Sequence, residues 1–324
     1  MSSQYDVVAV GNAIIDLIQP VSDGFLAEEG IAKDAMTLID EARADHLTAR
    51  LSEAIVAAGG SAANTMTGIA SFGGKAGYIG KVADDALGAR FREEFRAAGV
   101  AFDTPARSAP PGTARSIIAV TPDGHRSMNT YLGASTLLNP EDIDAELIRA
   151  GETLFLEGYL FDRDEAKAAF VHAAEIARAA GRKVALTLSD KFCVDRHRVS
   201  FAHLVAGHVD ILFANEAEIL ALYEQDDLNA AAAAAKRACP VVAITRSAAG
   251  SLIVTDAETI TVPAVPTNVV DSTGAGDQYA AGFLFGYARG RPLAECGALA
   301  SLAAAEVISH IGPRPEQNPR ALAP

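Results

Sequence analysis

The segment Asp271-Ser272-Thr273-Gly274-Ala275-Gly276-Asp277 sets two glycines and a carboxylate just before a helical stripe of Ala280, Phe283, Leu284 and Tyr287. Glycines there let the backbone turn tightly, so the free N–H groups of the first turn face outward together. The helix dipole adds partial positive charge. The result is a cradle for an anion such as a phosphate. A carboxylate in that cradle would repel a bound phosphate, so Asp277 makes chemical sense as the group that takes a proton from an alcohol attacking it. With an ordinary aspartate pKa near ~3.9, it would take that proton late, as charge develops. The competing reading is an aspartate that caps a helix after a glycine turn.

Three further groupings could serve the same chemistry. Gly59-Gly60-Ser61-Ala62-Ala63-Asn64 makes a glycine turn with an amide one helical turn inside. Asn64 both donates and accepts, which suits a vicinal diol; otherwise it is a solvated amide on a helix face. Asp16, in Gly11-Asn12-Ala13-Ile14-Ile15-Asp16, falls just after a first strand, where α/β sheets place ligands. Its alternative is a loop aspartate in an Asx turn. In Asn215-Glu216-Ala217-Glu218, amide and carboxylate could hold Mg²⁺ through waters, or the acids could simply complement a helix start.

Other site types are excluded. Gly68 and Gly73 have P-loop spacing, but Gly74 stands where the lysine belongs and Ala76 follows Lys75. Tyr279 occupies the third glycine of a dinucleotide fingerprint begun at Gly274 and Gly276. No HExxH, GxSxG or zinc spacing occurs, and the seven histidines form no ligand cluster. The net charge of −14 argues against nucleic acid or an anionic membrane as the main partner. Three scattered cysteines (Cys193, Cys239, Cys296) fit a reducing compartment. The start lacks a signal-peptide pattern, and no apolar run approaches a membrane span, so a soluble cytoplasmic protein is expected.

These groups need elements to hold them. The 324 residues allow two domains or one large α/β domain. Strand-like runs at Val7 to Val10, Ala76 to Ile79, Ser116 to Val120, Thr153 to Leu156, Val184 to Leu188, Val209 to Phe213, Val241 to Thr245 and Leu252 to Thr255 are mostly apolar throughout. That pattern fits strands buried on both faces of a parallel sheet. Helical patterns alternate with them: the stripe Leu87, Phe91, Phe95, Ala98, the alanine-rich stretch from Glu165 to Ala180, and the stripe from Ala280. Pro20 to Asp40 and Ala101 to Tyr131 break the alternation, carry no clear helix and read as a small β excursion. The proline-rich tail after Ile311 reads as irregular.

In this order the pieces resemble the ribokinase-like (PfkB) carbohydrate and nucleoside kinase family, over nearly the whole chain. The N-terminal pattern matches from Gly59 to Gly88, the NxxE element at Asn215 and Glu218, and the C-terminal pattern at Asp271 to Asp277. The resemblance implies a ribokinase-like, doubly wound, mostly parallel α/β sheet flanked by helices, forming one kinase domain over 1–324. A small β lid would come discontinuously from about 17–40 and 101–131. The activity implied is phosphorylation of a primary hydroxyl with ATP and Mg²⁺, with room for a monovalent cation such as K⁺.

Residue by residue, the resemblance matches Asp277 to the catalytic base and Gly274, Ala275 and Gly276 to the anion hole. Asn12, Asp16, Gly60, Ser61 and Asn64 match positions that bind substrate. Asn215 and Glu218 match positions near the triphosphate and magnesium, Glu218 acting through water. Thr245 and Gly250 look like the nucleotide-side TxGxxG turn, with Ser247 replacing its middle glycine; Ser272 replaces the threonine of DTxGAGD. Arg126-Ser127-Met128-Asn129 resembles the lid segment of the adenosine kinase branch, Leu188 to Phe192 its LSxxF loop, and Ile311 to Arg314 the end of some bacterial members. Glu157-Gly158-Tyr159 departs from the Gly-Phe-Phe segment that supplies a stacking ring in some members, leaving Tyr159 and Phe192 as aromatic candidates. The expected substrate is a nucleoside phosphorylated at its 5′-hydroxyl, adenosine first, in purine salvage. The alternative is a sugar kinase acting on ribose, fructose or a keto-deoxy acid; a non-catalytic nucleotide-binding protein is less favoured. Neither nucleic acid nor membrane is an expected partner, and the assembly is a monomer or homodimer.

Overall fold

The computed structural model describes residues 3–317. Its strands in chain order are β1 (Tyr5–Val10), β2 (Ile14–Pro20), β3 (Met36–Leu38), β4 (Ile55–Gly59), β5 (Ala76–Ile79), β6 (Val100–Ala101) and β7 (Ala114–Val120). There follow β8 (Arg126–Tyr131), β9 (Gly151–Glu157), β10 (Lys183–Thr187), β11 (Ile211–Asn215), β12 (Val241–Thr245), β13 (Ser251–Val254) and β14 (Thr259–Val262). A nine-stranded sheet runs β14-β13-β12-β11-β10-β9-β1-β5-β6, parallel from β12 to β6, with β13 and β14 antiparallel at one edge.

β1 shows why its residues are apolar on both faces. Val7 and Ala9 enter one core, Val8 and Val10 the other. Successive side chains of a strand point to opposite sides, and helices cover both. The Ser61–Ser71, Ala275–Tyr287 and Leu293–Val307 helices contribute to the first core. The Asp164–Ala179, Lys191–His208 and Leu228–Ala238 helices contribute to the second. This is the doubly wound α/β layer expected from the alternating pattern.

A second, five-stranded sheet runs β3-β8-β7-β2-β4. It draws on Ile55–Gly59, which lies outside the stretches 17–40 and 101–131, and on Ile14–Pro20, which starts before them. It also contradicts the reading of 20–40 as helix-free. Ser22 caps a helix over Asp23–Glu28 by accepting from Phe25 N, a helix of six residues, too short to show a periodic stripe. Ile15, Leu17, Ile117 and Ala119 on one face of this sheet share a core with Leu26, Ala44 and Leu47 of the helices outside it. The other face looks back across the carboxyl ends of the large sheet. Residues 311–317 form neither helix nor strand, and 318–324 of the expected irregular tail lie outside the described residues.

Candidate active site

The carboxyl ends of β9, β10, β11 and β12, with the turn after β1, open into one cleft of about 970 Å³ closed on its far side by the second sheet. Asp277 is on its floor as the third residue of the Ala275–Tyr287 helix, whose N-cap is Gly274 at φ +79°. It does not cap that helix. Its carboxylate accepts from Ser61 Oγ at 2.6 Å and from Asn64 Nδ2 at 3.0 Å. Burial pushes its pKa up to about 6, while these two hydrogen bonds hold it down. The ordinary value expected from residue type is thus corrected, and the carboxylate becomes a better match to a proton-accepting role near neutrality.

The two glycines before it differ. A Cβ on Gly274 would come within 2.8 Å of Pro313, whereas one on Gly276 would meet nothing within 4 Å. Gly276 is helical, so its contribution is open space over the first-turn N–H groups. Ala275 lies between them and lines the same cleft.

The Ser61–Ser71 helix starts behind Gly60, whose φ of +108° and 2.3 Å approach of a Cβ to the Asn12 carbonyl oxygen admit only glycine. Asn64 is 5% exposed, not solvated, and its Oδ1 is buried without a partner among the described residues. Gln278 Nε2 donates to the Asn64 carbonyl and to that of Pro313, both at 3.0 Å.

Asp16 is in β2 and not in the loop after β1. There it is 9% exposed. Burial pushes its carboxyl up to about 7, Arg314 and Arg126 pull it down, and Asp277 raises it. Strand register extends its row: Asp16 pairs with Ser116, and Ser116 with Thr130. Ser116 Oγ and Thr130 Oγ1 share a hydrogen bond of 2.8 Å. The next row on the same face is apolar, because Ile118 pairs with Met128 and Met128 with Met36. All six of these residues line the cleft. One sheet face therefore offers a polar stripe beside an apolar one.

Asn12 is tied to Glu157, which sequence reasoning passed over. Glu157 Oε1 accepts from Asn12 Nδ2 at 2.6 Å and Asn12 N at 3.3 Å, and its Oε2 accepts from Ala62 N at 2.8 Å. It is 1% exposed, and burial pushes it up to about 7. Its place at the carboxyl end of β9 was the signal that could have found it. Ser116, Thr130, Gln278 and Arg314 carried no comparable signal. The Arg314 nitrogens Nε and Nη2 are buried without partners among the described residues, while Nη1 reaches Glu94 at 3.3 Å. Arg126 links the second sheet to the glycine loop: its Nη1 donates to Thr273 Oγ1 at 2.6 Å and pairs with Asp271 Oδ2 at 2.7 Å.

The two aromatic candidates both line the cleft. Tyr159 OH donates to the Ser189 carbonyl at 3.3 Å, and burial pushes its phenol well above its usual value. Phe192 is 63% exposed, with the Arg196 guanidinium 4.2 Å from its ring centre.

On the opposite side of Asp277, Asn215 ends β11 and forms a capping box with Glu218: its Oδ1 accepts from Glu218 N, and Glu218 accepts from Asn215 N (2.9 Å) and Nδ2 (2.7 Å). Burial pushes Glu218 up to about 7. Each Glu218 oxygen accepts one hydrogen bond within the cap and keeps a lone pair that can face a cation or its water shell. Among the described residues no group of three or more His, Cys, Asp or Glu could hold a metal ion. Asn215 and Glu218 are oxygen donors of the kind that suit a cation carried in with a triphosphate. Thr245 ends β12, and Gly250 closes the following turn at φ +79°, where a Cβ would come 2.1 Å from the Val262 carbonyl oxygen. Ser247, in the glycine's place, takes φ +49°.

Among the described residues no helix is long and apolar enough to cross a membrane. Residues 5–320 match the pfkB family carbohydrate kinase profile. The adenosine kinase from Sinorhizobium meliloti is 51% identical, with a TM-score of 0.92 covering 99% of this chain and 98% of that one. A probable sugar kinase from Rhizobium etli CFN 42 is 47% identical, with the same TM-score and coverage of 99% and 98%. The adenosine kinase of Saccharomyces cerevisiae is 27% identical over 331 residues, 95% of this chain and 96% of its own. A glycine-lined helix start beside a half-buried carboxylate agrees with these matches: the chain belongs to the pfkB family of carbohydrate kinases and is a phosphotransferase whose acceptor is the alcohol group of a sugar or nucleoside.

Proposed function

We propose that the enzyme transfers the γ-phosphoryl group of ATP to the 5′-hydroxyl of a nucleoside, adenosine first, giving AMP. The observation that carries this reading is the paired stripe on the second sheet. Asp16, Ser116 and Thr130 offer hydrogen-bonding groups to a ribose, and Ile118, Met128 and Met36 offer an apolar wall to a base. A free sugar needs the first stripe and has nothing to set against the second.

Asp16 and Asn64 take the 2′- and 3′-hydroxyls, and Asp277 orients the 5′-hydroxyl. As its oxygen bonds to the γ-phosphorus, the bond from that phosphorus to the ADP oxygen breaks and the hydroxyl proton passes to Asp277. The Ala275 and Gly276 backbone and the helix dipole stabilise the transferring group. Ser61 and Asn64 hold the carboxylate in place. Arg126 anchors the second sheet, acting as a lid, to the glycine loop. Asn215, Thr245 and Gly250 border the nucleotide, and a magnesium ion held with it would neutralise phosphate charge. The three cysteines are all buried, and the setting we propose is cytoplasmic.

The rival within the family is a sugar kinase, and the Rhizobium etli relative is described that way. The test is kcat/KM for adenosine, inosine, ribose and fructose under one ATP and Mg²⁺ condition. Adenosine is expected to lead, with 2′,3′-dideoxyadenosine a very poor substrate. If ribose or fructose exceeds both nucleosides, the nucleoside assignment falls.

A further inference from the structure

At the other end of the parallel sheet, away from the catalytic cleft, the amino ends of β10, β11 and β12 surround a second cavity of about 490 Å³. The carboxyl ends of the Asp164–Ala179, Lys191–His208 and Leu228–Ala238 helices border it. In a chain of net charge −14, this cavity reverses the sign: five lysines and arginines line it against two aspartates.

Cations at helix carboxyl ends have an ordinary explanation, since those ends carry unpaired carbonyls and the negative pole of the dipole. That explanation accounts for three of the five. Arg178 donates to the Gly207 carbonyl, Arg182 Nε donates to the Arg149 carbonyl at 3.0 Å, and Lys183 pairs with Asp210 at 2.9 Å. Lys236 and Arg237 remain, with no hydrogen-bond or ion-pair partner among the described residues. His208 adds a buried Nδ1 that has no partner among the described residues. Asp256, the second aspartate of the lining, is exposed and pairs with neither cation.

We propose that this cavity is a binding site for a phosphate-bearing small molecule, separate from the catalytic cleft. A phosphate group supplies several strong acceptor oxygens and negative charge to face the half-buried Lys236 and the exposed Arg237, neither of which has an acid opposite it among the described residues, beside the unpartnered His208 Nδ1. The volume is that of a small-ligand site and exceeds what a bare ion fills. β11 and β12 begin at this cavity and end at Asn215 and Thr245, so the two sites share strands.

The test is calorimetric titration of the full-length enzyme with inorganic phosphate and, separately, with AMP, in wild type and in the double variant Lys236→Ala/Arg237→Ala. Both ligands can also enter the catalytic cleft, so the cavity is read as the difference between the two proteins. Wild type is expected to bind one more equivalent than the variant, or to bind that equivalent about tenfold or more tightly, as loss of charge-assisted hydrogen bonds implies. That equivalent should weaken with added salt. The variant's kcat, measured without added phosphate ligand, should match wild type. Displacement of phosphate from the difference site by AMP identifies the ligand as a nucleotide-sized ester, and retention of phosphate identifies it as the free ion; either supports the site. Equal stoichiometry and affinity in the two proteins overturns the proposal.

Discussion

On the acceptor side of the cleft, Asp16, Asn64 and Glu157 are nearly fully buried, and the hydrogen bonds that Asn64 and Glu157 make run to partners far away in sequence. Asn64 and Ser61 reach Asp277, and Asn12 reaches Glu157. On the nucleotide side, Asn215, Ser247 and Gly276 are exposed, and the turns that hold them close within a few residues: Asn215 with Glu218, Gly250 N with the Ser247 carbonyl. The difference follows from what each side handles. A neutral alcohol is selected by desolvated groups that lose a partner when a hydroxyl is missing. A highly charged triphosphate is met by backbone N–H groups and water at an open helix start. Desolvation leaves carboxyls titrating near neutrality on both sides, at about 6 for Asp277 and about 7 for Asp16 and for the capping Glu218.

Asp277→Asn should break this comparison most severely. It keeps the shape and removes the proton acceptor, so kcat should fall by about 10²-fold or more with ATP affinity nearly unchanged. The same variant has a stability signature. Because the folded pKa of Asp277 lies above its unfolded value, its contribution to stability is present at low pH and is lost as pH rises through about 6. Removing the charge should therefore raise Tm more near pH 8 than near pH 5. Wild-type turnover in a clean preparation would reject the proton-acceptor role, and an equal Tm change at both pH values would reject the burial argument.

Asp16→Ala tests the acceptor side alone. A ribose hydroxyl left without its carboxylate should lower kcat/KM for adenosine by about 10²-fold. The gap between adenosine and 2′,3′-dideoxyadenosine should narrow, since both then lack the contact. A gap of unchanged size would remove Asp16 from the diol site.

Wild-type pH dependence is a milder probe. Asp277 and Asp16 must both be ionised to accept, so kcat/KM should rise between about pH 6.5 and 7.5 by about fourfold. A flat profile over that range would mean the two carboxyls are better solvated than their burial indicates.

The smallest effect belongs to the nucleotide side. Ser247→Gly relieves the +49° φ, so the protein should gain up to about 1 kcal/mol in stability, less the entropy of a freer unfolded chain. The KM for ATP should change little, because the turn is held locally. A large change in nucleoside KM instead would show that the two halves are not built independently.

Fold class was legible because its signals are local. β1 is apolar on both faces, and the stripe at Leu87, Phe91 and Phe95 lies on the Ala86–Ala97 helix. The helix start after Asn215 and the glycine turn at Gly274 were legible in the same way, since both depend on neighbours a few residues along, whereas the capping box that Asn215 and Glu218 form there emerged only in the structure. The Asp23–Glu28 helix and the strand Ile55–Gly59 were missed because neither is long enough to impose a period.

By itself the sequence determined which residues can do chemistry at all: a carboxylate after a glycine-rich turn, an amide behind another, a first strand followed by Asp16. Only the tertiary structure decided what state they are in. It put Asp16 inside a second sheet and set Ser116 and Thr130 beside it. It buried Glu157 against Asn12 and brought Ser61 and Asn64 to Asp277 across more than two hundred residues of chain. The reason is physical: a carboxyl's pKa and the selectivity of a hydrogen-bonding group depend on how much water surrounds them and on which charges face them. Those surroundings come from strand register and helix packing, which no local stretch of sequence contains.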